Sequence, residues 1–365
     1  MSKLFSPFQL KDVTLRNRIA VPPMCQYSAV DGGVTDWHLP HYASLARGGA
    51  GLVIVEATAV SPEGRITPAC TGIWSDAHVE GLAEIAKAIK EAGAVPGIQI
   101  AHAGRKASAK VPWEGGAHIS SGAPGAWQPI SPSAIAFGKD LDRVPTEMSI
   151  EEITRVQADF RSAAKRALEA GFEWLELHYA HGYLGQSFFS VHANQRTDLY
   201  GGSAEARGRF LVETLREARA VWPEHLPLGA RFGVLEYDGR DEETLAEAID
   251  LSKRFREEGL DFLDVSIGFS TPEAKIPWAP ALLAPIAERV RTETGLPVGA
   301  AWGMDDPKNA AAAIDEEKMD LVFVGRGHLT NPHYPLATAR ALGIEGAGTK
   351  LLPLPYGYAV ERYRR

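Results

Sequence analysis

Eight short apolar runs constrain this chain more than any other feature. They fall at residues 18–25, 51–59, 95–101, 172–178, 226–232, 260–267, 296–301 and 321–324. Continuous apolar runs of that length suit parallel strands buried on both faces. Amphipathic stretches at 77–92, 149–170, 204–221, 242–258, 282–294 and 307–317 lie between them. The stretch at 149 opens with Ser149 and Glu152, a capping-box pair, and stops at Gly171. Strands alternating with helices predict an α/β fold with a parallel sheet, and eight strands close into a (β/α)8 barrel of the TIM type. An open doubly wound sheet is the rival, but no G-x-G-x-x-G pattern opens the first helix. Residues 5–17 predict a β-hairpin, with Asp12 at the turn, capping one barrel end. Residues 104–148, rich in Gly, Pro, Ser and Trp, predict a long irregular loop after the third strand. Loops of that length are usually lids or binding loops. No boundary or repeat interrupts the pattern, so residues 1–365 are expected to form one domain.

Composition narrows the function classes. The chain carries 38 basic and 46 acidic residues, a net charge of −8. That balance disfavours general binding to nucleic acid or to an anionic membrane, though it allows a local basic pocket for a phosphate. Only Cys25 and Cys70 are present. Two thiols cannot form a four-thiolate zinc site or ligate a four-cysteine iron–sulfur cluster, and a disulfide framework is not expected. No run approaches the ~20 apolar residues of a membrane span, and the N-terminus has no cleavage pattern. The expectation is a cytoplasmic protein.

In such barrels the reactive groups sit at the C-terminal strand ends and in the loops beyond. Cys25 ends the first run, Ala57 lies near the end of the second, and Gln99 lies in the third. His178 ends the fourth and Arg231 lies in the fifth. Trp302 and Gly303 follow the seventh; Gly325 and Arg326 follow the eighth. The two glycines let backbone N–H groups approach a phosphate, with Arg326 adding charge; equally, they suit turns with a surface cation. His178 and His181 fit three roles: metal ligands, ordinary hydrogen-bonded histidines, or paired donors polarising one carbonyl oxygen. His38 and His41 repeat their spacing, but Glu176, the nearest acid to the first pair, lies within the strand. Tyr183 is an aromatic wall or a proton donor, since a phenol of pKa ~10 can protonate a carbanion-like carbon. Cys25 is a small buried hydrophobe or a functional thiol, whereas Cys70 reads as structural. Gln99 needs partners if buried, and a flavin edge offers both donors and acceptors.

At these residues the chain resembles the Old Yellow Enzyme family of FMN-dependent ene-reductases. The likeness runs nearly end to end. It includes Leu10-Lys11-Asp12-Val13-Thr14-Leu15-Arg16-Asn17-Arg18, Pro23-Met24-Cys25-Gln26-Tyr27 and Gln99-Ile100-Ala101-His102-Ala103-Gly104-Arg105-Lys106. It continues through His178-Tyr179-Ala180-His181-Gly182-Tyr183-Leu184 and Asn194-Gln195-Arg196-Thr197-Asp198-Leu199-Tyr200-Gly201-Gly202-Ser203. Cys25 and the His/His pair resemble the thermophilic-like, xenobiotic-reductase-A-like subgroup, as do Tyr27, Ile66 and Trp302.

The resemblance implies an oxidoreductase that takes hydride from NADPH or NADH onto FMN. The acceptors would be small molecules: α,β-unsaturated carbonyl and related electron-poor compounds, with nitro compounds and nitrate esters as relatives. By the same resemblance Pro23, Met24, Cys25, Ala57, Gln99 and Arg231 border the flavin ring, and Gly303, Gly325 and Arg326 hold its phosphate. Cys25 would tune the flavin's potential, His178 and His181 would bind the acceptor's oxygen, and Tyr183 would supply a proton. Tyr27, Ile66 and Trp302 would line the substrate pocket. A C-terminal arm, 351–365, would reach a neighbouring subunit of a homodimer or homotetramer through Tyr358 and Arg362. Ala359 departs from the tryptophan of the subgroup. The competing function is a metal-dependent barrel hydrolase or isomerase using the two histidine pairs.

Overall fold

The computed structural model describes residues 2–362. Eight parallel strands form a closed barrel: β1 (Ile19–Val21), β2 (Leu52–Ala59), β3 (Val95–Ala101), β4 (Trp174–Tyr179), β5 (Leu228–Leu235), β6 (Phe262–Ile267), β7 (Val298–Ala300) and β8 (Leu321–Phe323). Sequence neighbours are barrel neighbours, and β8 closes onto β1 through Val322↔Ile19 and Phe323↔Ala20. Each apolar run holds one strand, and the fold is a TIM barrel. Several boundaries shift: β4 and β5 begin two residues later than their runs, and β5 continues to Leu235 rather than stopping at Phe232. The first strand stops at Val21 rather than Cys25, because Pro22 and Pro23 have no N–H to extend the ladder. Cys25 therefore sits in the loop beyond the strand.

The longer helices are α1 (His38–Arg47), α2 (Val79–Glu91), α3 (Ile150–Glu169), α4 (Ala204–Arg219), α5 (Asp241–Glu257), α6 (Ala284–Thr294), α7 (Pro307–Asp315) and α8 (Tyr334–Ala341). The capping box of α3 is complete: Ser149 Oγ accepts from Glu152 N at 3.2 Å, and Glu152 Oε2 accepts from Ser149 N at 2.8 Å. α1 was not visible in the pattern. Its N-cap is Trp37, which makes no side-chain cap, and it carries Pro40 in its first turn, where a missing N–H costs no helical bond.

The hairpin Phe8–Leu10 and Val13–Leu15 closes the end of the barrel opposite the strands' C-termini. Its Phe8, Val13 and Leu15 pack onto Trp174, Phe262 and Phe323 from the barrel interior. Phe262 is the hub, with ring centroids 5.1 Å from Trp174, 6.5 Å from Phe8 and 6.3 Å from Phe323. Residues 104–148 contain two short turns of 3-10 helix and two two-residue strands, Ile130–Ser131 and Thr146–Glu147. Arginines tie this stretch down: Arg105 donates to the carbonyls of Ile135, Ala136 and Ser270, and Arg143 to those of Trp127 and Ile119. Among the described residues no helix is long and apolar enough to cross a membrane.

Phe262→Ala empties the hub of this layer. Large-to-small aromatic truncation in a core costs about 3–5 kcal/mol. Denaturant unfolding should show that loss, while ligand binding at the strands' C-terminal ends stays unchanged because the lesion lies at the far end of the barrel. Wild-type stability in the variant would remove Phe262 from its central place.

Candidate active site

Strand register brings the site together. On adjacent strands Gln99 stands opposite Glu176, His178 opposite Arg231, and Arg231 opposite Asp264. Gln99 Nε2 donates to Glu176 Oε1 at 2.8 Å, and Arg231 Nε lies 3.1 Å from Asp264 Oδ2. All four side chains are buried. Burial raises the pKa of both carboxyls, and the Arg231 cation pulls each back down.

A cavity of about 460 Å³ opens above this layer. Small-molecule sites are ordinarily ~300–1,000 Å³. Pro22, Pro23, Met24, His181, Arg231, Trp302, Gly303, Gly325 and Arg326 all line it. Met304 and Asp305 line it too, and neither was singled out in the sequence. Arg326 has no ion-pair partner among the described residues. The groove of about 540 Å³ between α4 and α5 is larger, but it is lined by surface residues such as Glu205, Arg209 and Glu243 and by none of the expected site residues.

His178, His181 and Tyr183 form one cluster. The His178 ring lies 5.0 Å from those of both His181 and Tyr183. Burial holds the pKa of both imidazoles well below the usual range, helped by the charges of Arg231 and Lys106. Both are therefore neutral at physiological pH. His178 Nδ1 accepts from Ala180 N at 3.4 Å, which leaves the ring proton on Nε2. His181 Nε2 lies 2.9 Å from Ser266 Oγ; a hydroxyl donating there leaves Nδ1–H for a ligand. Burial, with Cys25 and Tyr27 nearby, pushes the Tyr183 phenol well above its usual value, so it keeps its proton. Two neutral donors and one protonated phenol can together hold an oxygen and deliver a proton.

The loop after β1 is held from behind. Glu56 Oε2 accepts from Gln26 N at 2.8 Å, while Glu56 Oε1 accepts from Tyr42 Oη at 3.0 Å. This fixes Cys25 and Tyr27 beside the cavity, with Tyr27 in left-handed backbone at φ 50°. The Tyr27 ring meets Trp113 of the long loop at 5.7 Å. Across the mouth, Phe269 packs on His181 (5.7 Å) and Trp302 (6.0 Å), and Trp278 packs on Trp302 (4.8 Å). Ala57 and Ile66 line a small void shared with Tyr183. Trp113, Phe269, Trp278 and Lys106 were missed in the sequence. Phe269 lies two residues past the sixth strand run, so the strand-end rule would have found it; Trp113 and Trp278 carry no local signal.

Two sets of expected residues fall elsewhere. His38 faces Thr35 and Glu56, with Thr35 N donating to His38 Nδ1 at 2.9 Å, and is not part of the His178 cluster. Among the described residues no group of three or more His, Cys, Asp or Glu is placed to hold a metal ion. Tyr358 and Arg362 lie on the C-terminal helix Leu354–Arg362, where Arg362 Nη1 donates to Tyr358 Oη at 2.7 Å; neither lines the cavity of its own chain. Residues 363–365 of the expected arm lie outside the described residues.

The cavity suits a flavin phosphate and ring. Trp302 Nε1 is buried without a hydrogen-bond partner at its wall, and the Arg231 guanidinium, paired through Nε with Asp264, lines it as well. At Gly325 an added Cβ would stand 3.2 Å from Met24 Sδ, so the bare backbone is what leaves the wall open. Gly303 (φ 73°) has a packing reason as well, since a Cβ there would fall 2.6 Å from Ala281 N.

Fold and site together define a flavin oxidoreductase barrel. The chain belongs to the NADH:flavin oxidoreductase / NADH oxidase family, the Old Yellow Enzyme family, whose profile matches residues 3–342, and it is an FMN-using enzyme. It is 40% identical over 358 residues to the NADPH dehydrogenase of Bacillus subtilis (strain 168), covering 98% of each chain. It resembles the solved old yellow enzyme homologue from Zymomonas mobilis with a TM-score of 0.78 at 28% identity, covering 93% of each. A 2-naphthoyl-CoA reductase structure matches with a TM-score of 0.83 at 26% identity over 94% of this chain, which spans 53% of that longer protein.

Burial pushes Glu56 from its ordinary 4.5 up to about 7. The folded chain thus holds this proton more tightly than the unfolded one. The resulting stability is present at low pH and is lost as pH rises from 4.5 through about 7. Across that window the thermal midpoint of the holoprotein should fall more steeply than that of a Glu56→Gln variant. Parallel pH profiles would show that Glu56 does not titrate there.

Proposed function

We propose that the protein is an NADPH-dependent ene-reductase acting on α,β-unsaturated carbonyl compounds and related electron-poor double bonds. The reading is carried by the cluster of His178, His181 and Tyr183, of which His181 lines the cavity. NADPH as donor follows the names of the relatives. FMN held in the cavity would supply the hydride-transfer chemistry between NADPH and the acceptor's β-carbon.

The protein side of the chemistry is positional and electrostatic. Pro23, Met24 and Cys25 would border the ring, with Ala57 and Gln99 beyond, while Gly303, Gly325 and Arg326 would hold the phosphate. Arg231, a buried cation at the wall, would favour the anionic reduced state. The neutral imidazoles of His178 and His181 would donate hydrogen bonds to the carbonyl oxygen and stabilise charge developing there. Tyr183 would donate its phenolic proton to the α-carbon. Tyr27, Ile66, Trp302 and the wall formed by Phe269 would shape the space left for the acceptor.

NADPH should bleach the yellow protein and an enone should restore its colour. In Tyr183→Phe the bleaching should persist and the recovery slow by about 100-fold or more, the usual worth of a positioned proton donor. Recovery at the wild-type rate would take the proton-donor role from Tyr183. Failure of any enone to restore colour would sink the ene-reductase reading itself.

The C-terminal helix supports a shared site. Leu354, Tyr356 and Tyr358 are exposed at 77%, 48% and 58%. Apolar groups left open on one helix suit burial against a second copy, with Tyr358 and Arg362 reaching that copy's cavity in a homodimer or homotetramer. Deleting the residues after Tyr356 should raise KM for enones without abolishing FMN binding. Unaltered kinetics and oligomer mass would make the arm dispensable.

A further inference from the structure

Lys106 is a half-buried lysine whose ammonium makes no ion pair among the described residues, although the Glu236 carboxylate lies near enough to act on its charge. It ends the short turn Gly104–Lys106 that follows β3. Its Nζ donates to His181 O at 2.8 Å and to Phe269 O at 2.9 Å, and stands 4.0 Å from the ring centroid of Phe137. Those three partners belong to three separate loops: the one after β4, the one after β6, and the long loop after β3. A charge placed among carbonyl oxygens and a ring, rather than against a carboxylate, is held at a cost. Burial and the adjacent Arg105 accordingly draw its pKa down to about 7.

The two carbonyls it binds belong to strained residues. His181 and Phe269 both adopt left-handed backbone, at φ 61° and 51°, which side chains other than glycine rarely take. Between His181 and Tyr183 stands Gly182, where a Cβ would fall 2.8 Å from Lys106 Nζ and 2.4 Å from Phe269 O. The loop backbone is thus pressed directly onto the ammonium and the facing carbonyl. His181 and Phe269 also touch through their rings at 5.7 Å.

We propose that Lys106 is a positioning residue, tying the loop of His181 to the loop of Phe269 so that the His181 imidazole faces the acceptor's oxygen. This rests on the reading of His181 as an oxygen-binding group. A strained φ persists only where its surroundings over-determine it, and Lys106 supplies two of the bonds that do so. Removing the ammonium releases both carbonyls and lets His181 relax, without touching Gly303, Gly325 and Arg326, which would hold the FMN phosphate.

The test is a double-mutant cycle on the FMN-loaded full-length protein, titrated with 4-hydroxybenzaldehyde as a phenolate probe and read by the long-wavelength flavin absorbance. His181→Ala should weaken the probe. Lys106→Met should weaken it by roughly tenfold, a size usual for coupled neighbours, with flavin content unchanged. In the His181→Ala background the lysine substitution should have little further effect. Lys106→Gln, which lacks the reach to span both carbonyls, carries the same expectation and replaces the methionine variant should that one not fold. A normal probe affinity in both lysine variants, beside a weakened His181→Ala, overturns the proposal and leaves the role of His181 standing. An equal loss from Lys106→Met with and without His181 also overturns it. An unweakened His181→Ala removes the oxygen-binding reading, and the lysine proposal with it.

Discussion

Arg231 is a cation sealed into the top of the barrel core, and much of the site is arranged around its charge. Such a group is tolerated only when answered, and Asp264 answers it from the adjacent strand at 3.1 Å. The pairing follows from barrel closure: register places Arg231 opposite Asp264 on one side and His178 on the other. The same charge then works on its neighbours. It offsets the burial penalty on ionising Asp264 and adds to the burial that keeps His178 and His181 neutral. A neutral imidazole is a hydrogen-bond donor that needs no counter-charge, and that suits an oxygen that becomes negative only during reaction.

The second constraint is backbone strain concentrated at the cavity. Tyr27, His181, Phe269 and Trp302 all have left-handed φ values, between 50° and 68°, and all four rings lie around the site. Each strained turn is held from behind. Glu56 holds the loop of Tyr27, Lys106 holds those of His181 and Phe269, and Gly303 follows Trp302 where any side chain would strike Ala281. Polar groups behind the loops thus set the direction of the aromatic and imidazole rings in front of them.

The barrel was legible because apolar runs must become buried strands and because eight of them close. Residues at strand ends were legible for the same reason: Arg231, Trp302, Gly303, Gly325 and Arg326, picked from position, all line the cavity. What the sequence hid is non-local. Lys106 stands inside a motif that was read, yet nothing in its neighbours says that its ammonium reaches the carbonyl of Phe269, 163 residues away. Trp113 and Trp278 come from segments with no periodicity, so only the folded chain shows which ring each one meets. α1 lacked a capping side chain, the usual sequence signal of a helix start.

Electrostatics also separates the competing readings of the histidines. A divalent metal at His178 and His181 would face the Arg231 guanidinium and the Lys106 ammonium, both of which already depress the imidazole pKa values. The force that disfavours a proton on these rings disfavours a dication more strongly, because the repulsion scales with charge. The nearest carboxylates give no relief: Glu176 is bound to Gln99 within the barrel, and Asp264 is committed to Arg231. An acceptor oxygen gaining negative charge meets the opposite field. The cations that would expel a metal would draw that oxygen in, so the same pair of imidazoles is poor as a chelate and well placed as an oxyanion clamp.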